Sequence, residues 1–214
     1  PDWAMAKTVP EWTEDLKEYM GEVIDRYKDR PSLVEYQLEN EFFLSVFGIC
    51  PDFSRERLIE EAAFVKERDP DTTLVISRSN NALGFPIGEP RPDKSALTVY
   101  KRVWDKNLTN RYFEYPFPAW FYGFLAGGGE ILTGMDLFVH ELQTEAWLPE
   151  GMSMKTAPID ELYKSLSPKR LERRLEYGVN TGMRTIDLWG VEWWYQMKVK
   201  RNAPEIWETA KQEL

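Results

Sequence analysis

The sequence predicts an α/β fold, part of a (β/α)8 TIM barrel carrying strands 4–8 with their helices and lacking strands 1–3. Three observations lead there. Stripes of apolar residues at helical spacing alternate along the chain with short β-branched runs, and that alternation implies parallel strands joined by crossover helices. Units of about 30–50 residues suit either a barrel or a doubly wound sheet, and no Gly-x-Gly-x-x-Gly follows any strand to favour a nucleotide-binding version. Five strands are expected in 214 residues, whereas a complete barrel has eight strands and typically about 250 residues.

The elements follow in order. Residues 8–30 read as a helix: Thr8 and Glu11 fit a capping box, Pro10 sits in the first turn, and Trp12, Leu16, Tyr19, Val23 and Tyr27 make one stripe. Basic residues 26, 28 and 30 suit the negative end of the helix dipole, and Pro31 stops it. A strand is expected over 32–41, a helix over 54–68 begun by Ser54, and a strand over 72–80. A Pro- and Gly-rich loop over 81–93 leads to a strand over 96–104. Residues 118–129 are apolar nearly all round and predict a buried helix. Residues 137–147 read as a strand, 167–182 as a helix with Ser167 as cap and Pro168 at its first position, and 184–194 as a strand. A last helix is expected from Asn202 as cap, with Glu205 completing its box. The whole chain, 1–214, reads as one piece of a single domain.

Composition narrows the partners. Lys and Arg number 27 against 36 Asp and Glu, for a net charge of −9. An acidic surface repels nucleic acid and anionic membranes, and no apolar run approaches the roughly 20 residues that span a bilayer. Nine Trp and ten Tyr supply flat faces suited to sugar rings, or simply a large core. Cys50 is the sole cysteine, so no intrachain disulfide forms. The chain opens PDWAMAK without an initiator Met, as expected for a segment whose N-terminal part, with any targeting signal, lies elsewhere. Localisation, secreted or cytoplasmic, and oligomeric state are both left open.

The stretch VHELQTEAW, 139–147, holds the single histidine, His140. Its first letters resemble the zinc-protease helix H-E-x-x-H, but that motif needs a second His at 144, where Thr144 stands. As a strand, it sets Val139, Glu141, Gln143 and Glu145 on one side and Phe138, His140, Leu142 and Thr144 on the other. Functional groups of parallel α/β folds gather at strand C-termini. That rule selects Asn40 and Glu41, Ser77 and Ser79, Tyr100, Glu141, Gln143 and Glu145, and Trp189 and Glu192. In YQLENEFF, 36–43, strict alternation separates Asn40 from Glu41, so both reach one substrate only where the strand bulges or ends. Salt bridges to barrel Arg and Lys are the simpler account of Glu35, Glu39 and Glu41 taken singly. Two Glu-bearing strand ends in one acidic, aromatic-rich chain favour a functional one.

These motifs resemble the (β/α)8 glycoside hydrolases with catalytic carboxylates on strands 4 and 7, family-5 or cellulase-like. YQLENE resembles their strand-4 motif, an Asn-Glu pair, and HELQTEAW the ELQ-x-E-x-W form of strand 7. Phe42 follows Glu41 where many members have Pro. PDWA resembles the segment after strand 3. The resemblance implies Glu41 as acid/base, Glu141 as nucleophile, and Asn40, Tyr100, Trp189, Glu145 and Trp147 as substrate-binding residues. It implies no cofactor, no metal, and a β-linked oligo- or polysaccharide substrate cleaved with retention by double displacement. Glu41 would protonate the departing oxygen and Glu141 would attack the anomeric carbon. Two other classes compete: a non-catalytic glycan-binding barrel, and a metal-dependent barrel isomerase or aldolase with its ion among Glu41, Glu141 and Glu145.

Overall fold

The computed structural model describes residues 6–42, 44, 52–79 and 84–214. The opening PDWA, Cys50, Asn80 at the expected end of one strand and residues 81–83 of the expected loop lie outside the described residues. The elements run α1 (Val9–Tyr27), β1 (Glu35–Gln37), α2 (Arg55–Arg68), β2 (Thr73–Arg78), β3 (Lys94–Val99), β4 (Arg102–Asp105), β5 (Arg111–Glu114), α3 (Ala119–Thr133), β6 (Asp136–Gln143), α4 (Ile159–Ser165), α5 (Pro168–Val179), β7 (Ile186–Trp189), α6 (Val191–Lys200) and α7 (Glu205–Glu213). None of the described helices is long and apolar enough to cross a membrane.

Five strands form one sheet in the order β1-β2-β3-β6-β7, and β4 and β5 form a separate antiparallel pair. β1 runs parallel to β2, with Glu35, Tyr36 and Gln37 opposite Thr73, Leu74 and Val75, and β6 runs parallel to β7. Spatial order follows chain order. A doubly wound sheet reverses its order at a switch point, so this α/β sheet is instead consistent with part of a (β/α)8 barrel. The chain divides into two compact units, Pro1–Ala96 with Gly129–Leu137, and Leu97–Gly128 with Phe138–Leu214.

The first unit packs Ile24 of α1, Leu58, Ala62 and Val65 of α2 and Leu74 and Ile76 of β2 into one core with Leu38 and Phe42. The α1 start forms as its sequence requires: the Glu11 carboxylate accepts from the Thr8 N–H at 2.9 Å and from its hydroxyl at 2.7 Å. Its buried residues are Gly21 and Ile24; Tyr19 and Tyr27 of the expected stripe are exposed. The second unit gathers Leu162, Leu166, Leu171, Leu175, Trp193, Trp194, Met197, Ile206 and Ala210 from α4 to α7. Ser167 caps α5 by accepting from the Arg170 N–H, with Pro168 at the first position.

Five expectations are corrected. The strand expected over 32–41 shrinks to Glu35–Gln37, because Glu39 and Glu41 take left-handed φ values of 54° and 46° that no strand tolerates. The strand expected over 96–104 stops at Val99, and β4 begins a hairpin. That hairpin's turn is made by Asp105, whose carboxylate accepts from the N–H groups of Asn107, Leu108 and Thr109. The strand expected over 184–194 breaks after Trp189, where Gly190 has φ 121° and a Cβ would sit 2.4 Å from that of Glu145. There α6 begins and turns Trp193 and Trp194 into the core. Asn202 does not cap the last helix: its φ is 51°, and α7 starts after Pro204. The helix expected to be buried, α3, covers Tyr122 and Leu125 but leaves Trp120, Phe124, Ile131 and Leu132 exposed.

One buried ion cluster orders the first unit. Arg57 of α2, 4% exposed, pairs with Glu61 at 2.7 Å and Glu39 at 2.8 Å. Its guanidinium lies over the rings of Trp12 and Phe42. Burial pushes the Glu61 carboxyl up to about 7, Arg57 opposes the rise, and Glu39 adds to it. Between the ordinary 4.5 and about 7 the folded chain therefore holds a proton that the unfolded chain releases. This group's contribution is full below that window and is lost as pH rises through it. Urea denaturation at pH 5 and pH 8 is expected to show a loss from this group of at most about 3 kcal/mol, and Glu61→Gln is expected to remove that slope.

Candidate active site

The first unit supplies Asn40 and Glu41 just beyond the C-terminal end of β1. The Ser77 hydroxyl of β2, fully buried, holds them. It accepts from the Glu41 N–H at 2.8 Å and from Gln37 Nε2 at 3.2 Å, and donates to Asn40 Oδ1 at 3.3 Å. Gln37 Nε2 also donates to Asn40 Oδ1 at 3.0 Å. Asn40 is exposed and Glu41 is 4% exposed. The alternation conflict is solved by ending the strand: the left-handed turn at Glu39 and Glu41 takes the chain out of the pleat. Such a conformation costs about 1–3 kcal/mol at a non-glycine residue and gathers at functional sites.

The second unit carries Tyr100, Glu141, Glu145, Trp147 and Trp189. Glu141, 6% exposed near the end of β6, accepts a 2.7 Å hydrogen bond from the Tyr100 phenol. Tyr100 stands in the two-residue link between β3 and β4, and its ring meets the Trp147 indole edge-on at 5.3 Å. Trp147 is fixed by its N–H, which donates to Ser165 Oγ at 2.9 Å. Glu145 accepts from Trp189 Nε1 at 3.0 Å. Burial pushes the Glu145 carboxyl up, the Trp189 N–H pulls it down, and the charges of Glu192 and Glu141 add to the rise. Trp189 leaves 46% of its surface exposed.

Strict alternation fails along β6. Its register with β7 shifts between Val139 and Leu142, and Glu141, Leu142, Gln143 and Thr144 are all buried. His140 meets Phe138 edge-on and sets Nδ1 3.5 Å from Asp187. Among the described residues, no group of three or more His, Cys, Asp or Glu is placed to hold a metal ion.

Gln143 has a larger part than its place in the motif suggested. Its Oε1 accepts from the N–H groups of Lys101 and Arg102, both at 2.9 Å, and its Nε2 donates to the Arg102 carbonyl at 2.8 Å. That clamp fixes the backbone carrying Tyr100 to the strand carrying Glu141. Thr144 is a second anchor that sequence reasoning missed. Its N–H and hydroxyl donate to the Trp189 carbonyl, and its own carbonyl accepts from Trp194 Nε1. The identities of Gln143 and Thr144 carry no local sign of these bonds, because both partners come from about 40 to 50 residues away.

No protein-family model matches the sequence, and no curated protein matches it. Among solved structures, the chain is similar to the FMN-binding β-glucuronidase of Faecalibacterium prausnitzii L2-6. The TM-score is 0.54 at 15% identity, over 86% of this chain and 26% of that one. A β-glucuronidase of Faecalibacterium prausnitzii also matches, with TM-score 0.47 at 14% identity, over 83% of this chain and 28% of that one. The chain thus spans little more than a quarter of the length of either. At this identity the first match is a likeness of fold, and the second carries no argument.

Replacing Gln143 by Leu is expected to strand half-buried backbone groups at 101 and 102, each costing about 1–3 kcal/mol. Urea denaturation is expected to show a loss of about 3 kcal/mol, with faster amide exchange at Lys101 and Arg102.

Proposed function

We propose that the chain is part of a retaining glycoside hydrolase acting on a β-linked oligo- or polysaccharide, with Glu141 as nucleophile and Glu41 as acid/base. The observation that carries this reading is the buried Glu141 carboxylate at a strand's C-terminal end, held by the Tyr100 phenol at 2.7 Å. The phenol occupies one lone pair of Oε2 and orients the group. The β-glucuronidase name of the fold neighbour fits the same class of chemistry.

Glu141 attacks the anomeric carbon as the glycosidic C–O bond breaks, and the leaving oxygen takes the proton of Glu41. A water then gives its proton to Glu41, adds to the anomeric carbon and releases Glu141. Retention requires the two carboxyl groups to work about 5–5.5 Å apart. Asn40 would bind the sugar hydroxyl beside the reacting carbon. Trp189 would lie under the ring, with Trp147 and Glu145 along the bound glycan.

The test uses a 2-fluoro glycoside that traps the covalent intermediate, across a panel of sugars that includes the glucuronide. The protein is expected to gain one sugar mass on Glu141, and Glu141→Gln to gain none; undiminished labelling of that variant removes Glu141 from the role. Glu41→Gln is expected to lower kcat by about 10²–10⁴-fold. Saturable glycan binding without hydrolysis or labelling would instead establish the non-catalytic barrel.

A further inference from the structure

The second unit holds a pocket of about 150 Å³ lined by Lys101, Glu114, Arg170, Arg173, Arg174 and Tyr177. Four cations and one carboxylate meet there, in a chain whose overall charge is −9. The local bias is opposite to the global one.

The carboxylate is occupied. Glu114 pairs with Arg102 at 3.2 Å and Arg170 at 3.6 Å. The Lys101 ammonium is held by the carbonyls of Tyr115 and Phe117 and lies over the Tyr177 ring. The Tyr177 hydroxyl donates to the Phe117 carbonyl at 2.8 Å. These bonds fix the walls, and Glu114 reaches Arg174 through its charge. Arg174 is 5% exposed, and its Nη1 is buried with no hydrogen-bond partner. Burial pushes this guanidinium down to about 10, and burial and Arg174 push the Lys101 ammonium down. A buried cation is costly unless an opposite charge meets it, and a guanidinium offers a planar fork of donors that matches carboxylate and phosphate oxygens.

We propose that this pocket, lined by Lys101, Arg170, Arg173 and Arg174, binds a small oxyanion, a phosphate or carboxylate group whose oxygens take the open Nη1 of Arg174. The volume suits one such group of a small molecule, not a polymer backbone. The Lys101 N–H is held by Gln143, and Tyr100 directly precedes Lys101, so the ligand would also brace the segment that carries the Tyr100 phenol. The inference stands apart from the glycosidase reading.

Inorganic phosphate and malonate are the probes, each titrated into the full chain against sodium chloride of equal ionic strength. A saturable rise in Tm beyond the chloride control, from either anion, is expected. Arg173→Gln, on the exposed side of α5, is expected to weaken the apparent Kd about tenfold, and Arg174→Met to abolish the response. Should Arg174→Met not fold, the double variant Arg170→Gln, Arg173→Gln takes its place and is expected to lose the response. A wild-type Tm that follows chloride alone overturns the proposal, and so does an unchanged response in the variants.

Discussion

The side-chain amide of Gln143 does work that secondary structure does elsewhere. Between β3 and β4 the backbone passes from the five-stranded sheet to the hairpin, and the half-buried N–H groups of residues 101 and 102 turn to a side chain. Gln143 answers both and one carbonyl as well. A primary amide is the side chain that can accept twice through oxygen and donate through nitrogen without carrying charge. That one group ties the link carrying Tyr100 to β6, the strand that carries Glu141.

The unit holding Glu141 surrounds its carboxylates with unlike partners. Glu141 meets a phenol and Glu145 an indole N–H. Both acids belong to one strand end, where burial and the charges of Glu192 and Glu141 push the Glu145 carboxyl up against the pull of the Trp189 N–H. Separate environments for neighbouring carboxyl groups are how one protein assigns different protonation work to chemically identical side chains. Trp189 takes part twice, through its indole to Glu145 and through its carbonyl to Thr144. The end of β7 is thereby locked to the end of β6.

What the sequence made legible was local. Ser167 and Pro168 announce the start of α5, and Thr8, Pro10 and Glu11 that of α1, because caps are satisfied within a turn. The alternation of the five sheet strands with α1, α2, α3, α5 and α7 was readable, but Glu192, expected at a strand end, lies in α6. The β4–β5 hairpin was not, since its cue is one Asp105 side chain serving three amides in a run that otherwise looks like continuing strand. The seven-residue α4 is too short to display a periodic stripe. Residues 191–194 look like strand because Val and Trp favour pleats, but Gly190 turns them into helix and the core takes the tryptophans. The pairing of Tyr100 with Glu141 joins residues 41 apart, and no spacing rule reaches that far.

The left-handed backbone at Glu39 and Glu41 has a cost in conformational equilibrium. At about 1–3 kcal/mol each, against a typical total of about 5–15 kcal/mol for a domain, two such residues hold a sizeable share of the available stability in one short stretch. The Ser77 hydroxyl, which accepts from the Glu41 N–H, and the Arg57 ion pair of Glu39 help hold this turn. A change at Ser77, on the neighbouring strand, therefore bears on the backbone conformation at position 41.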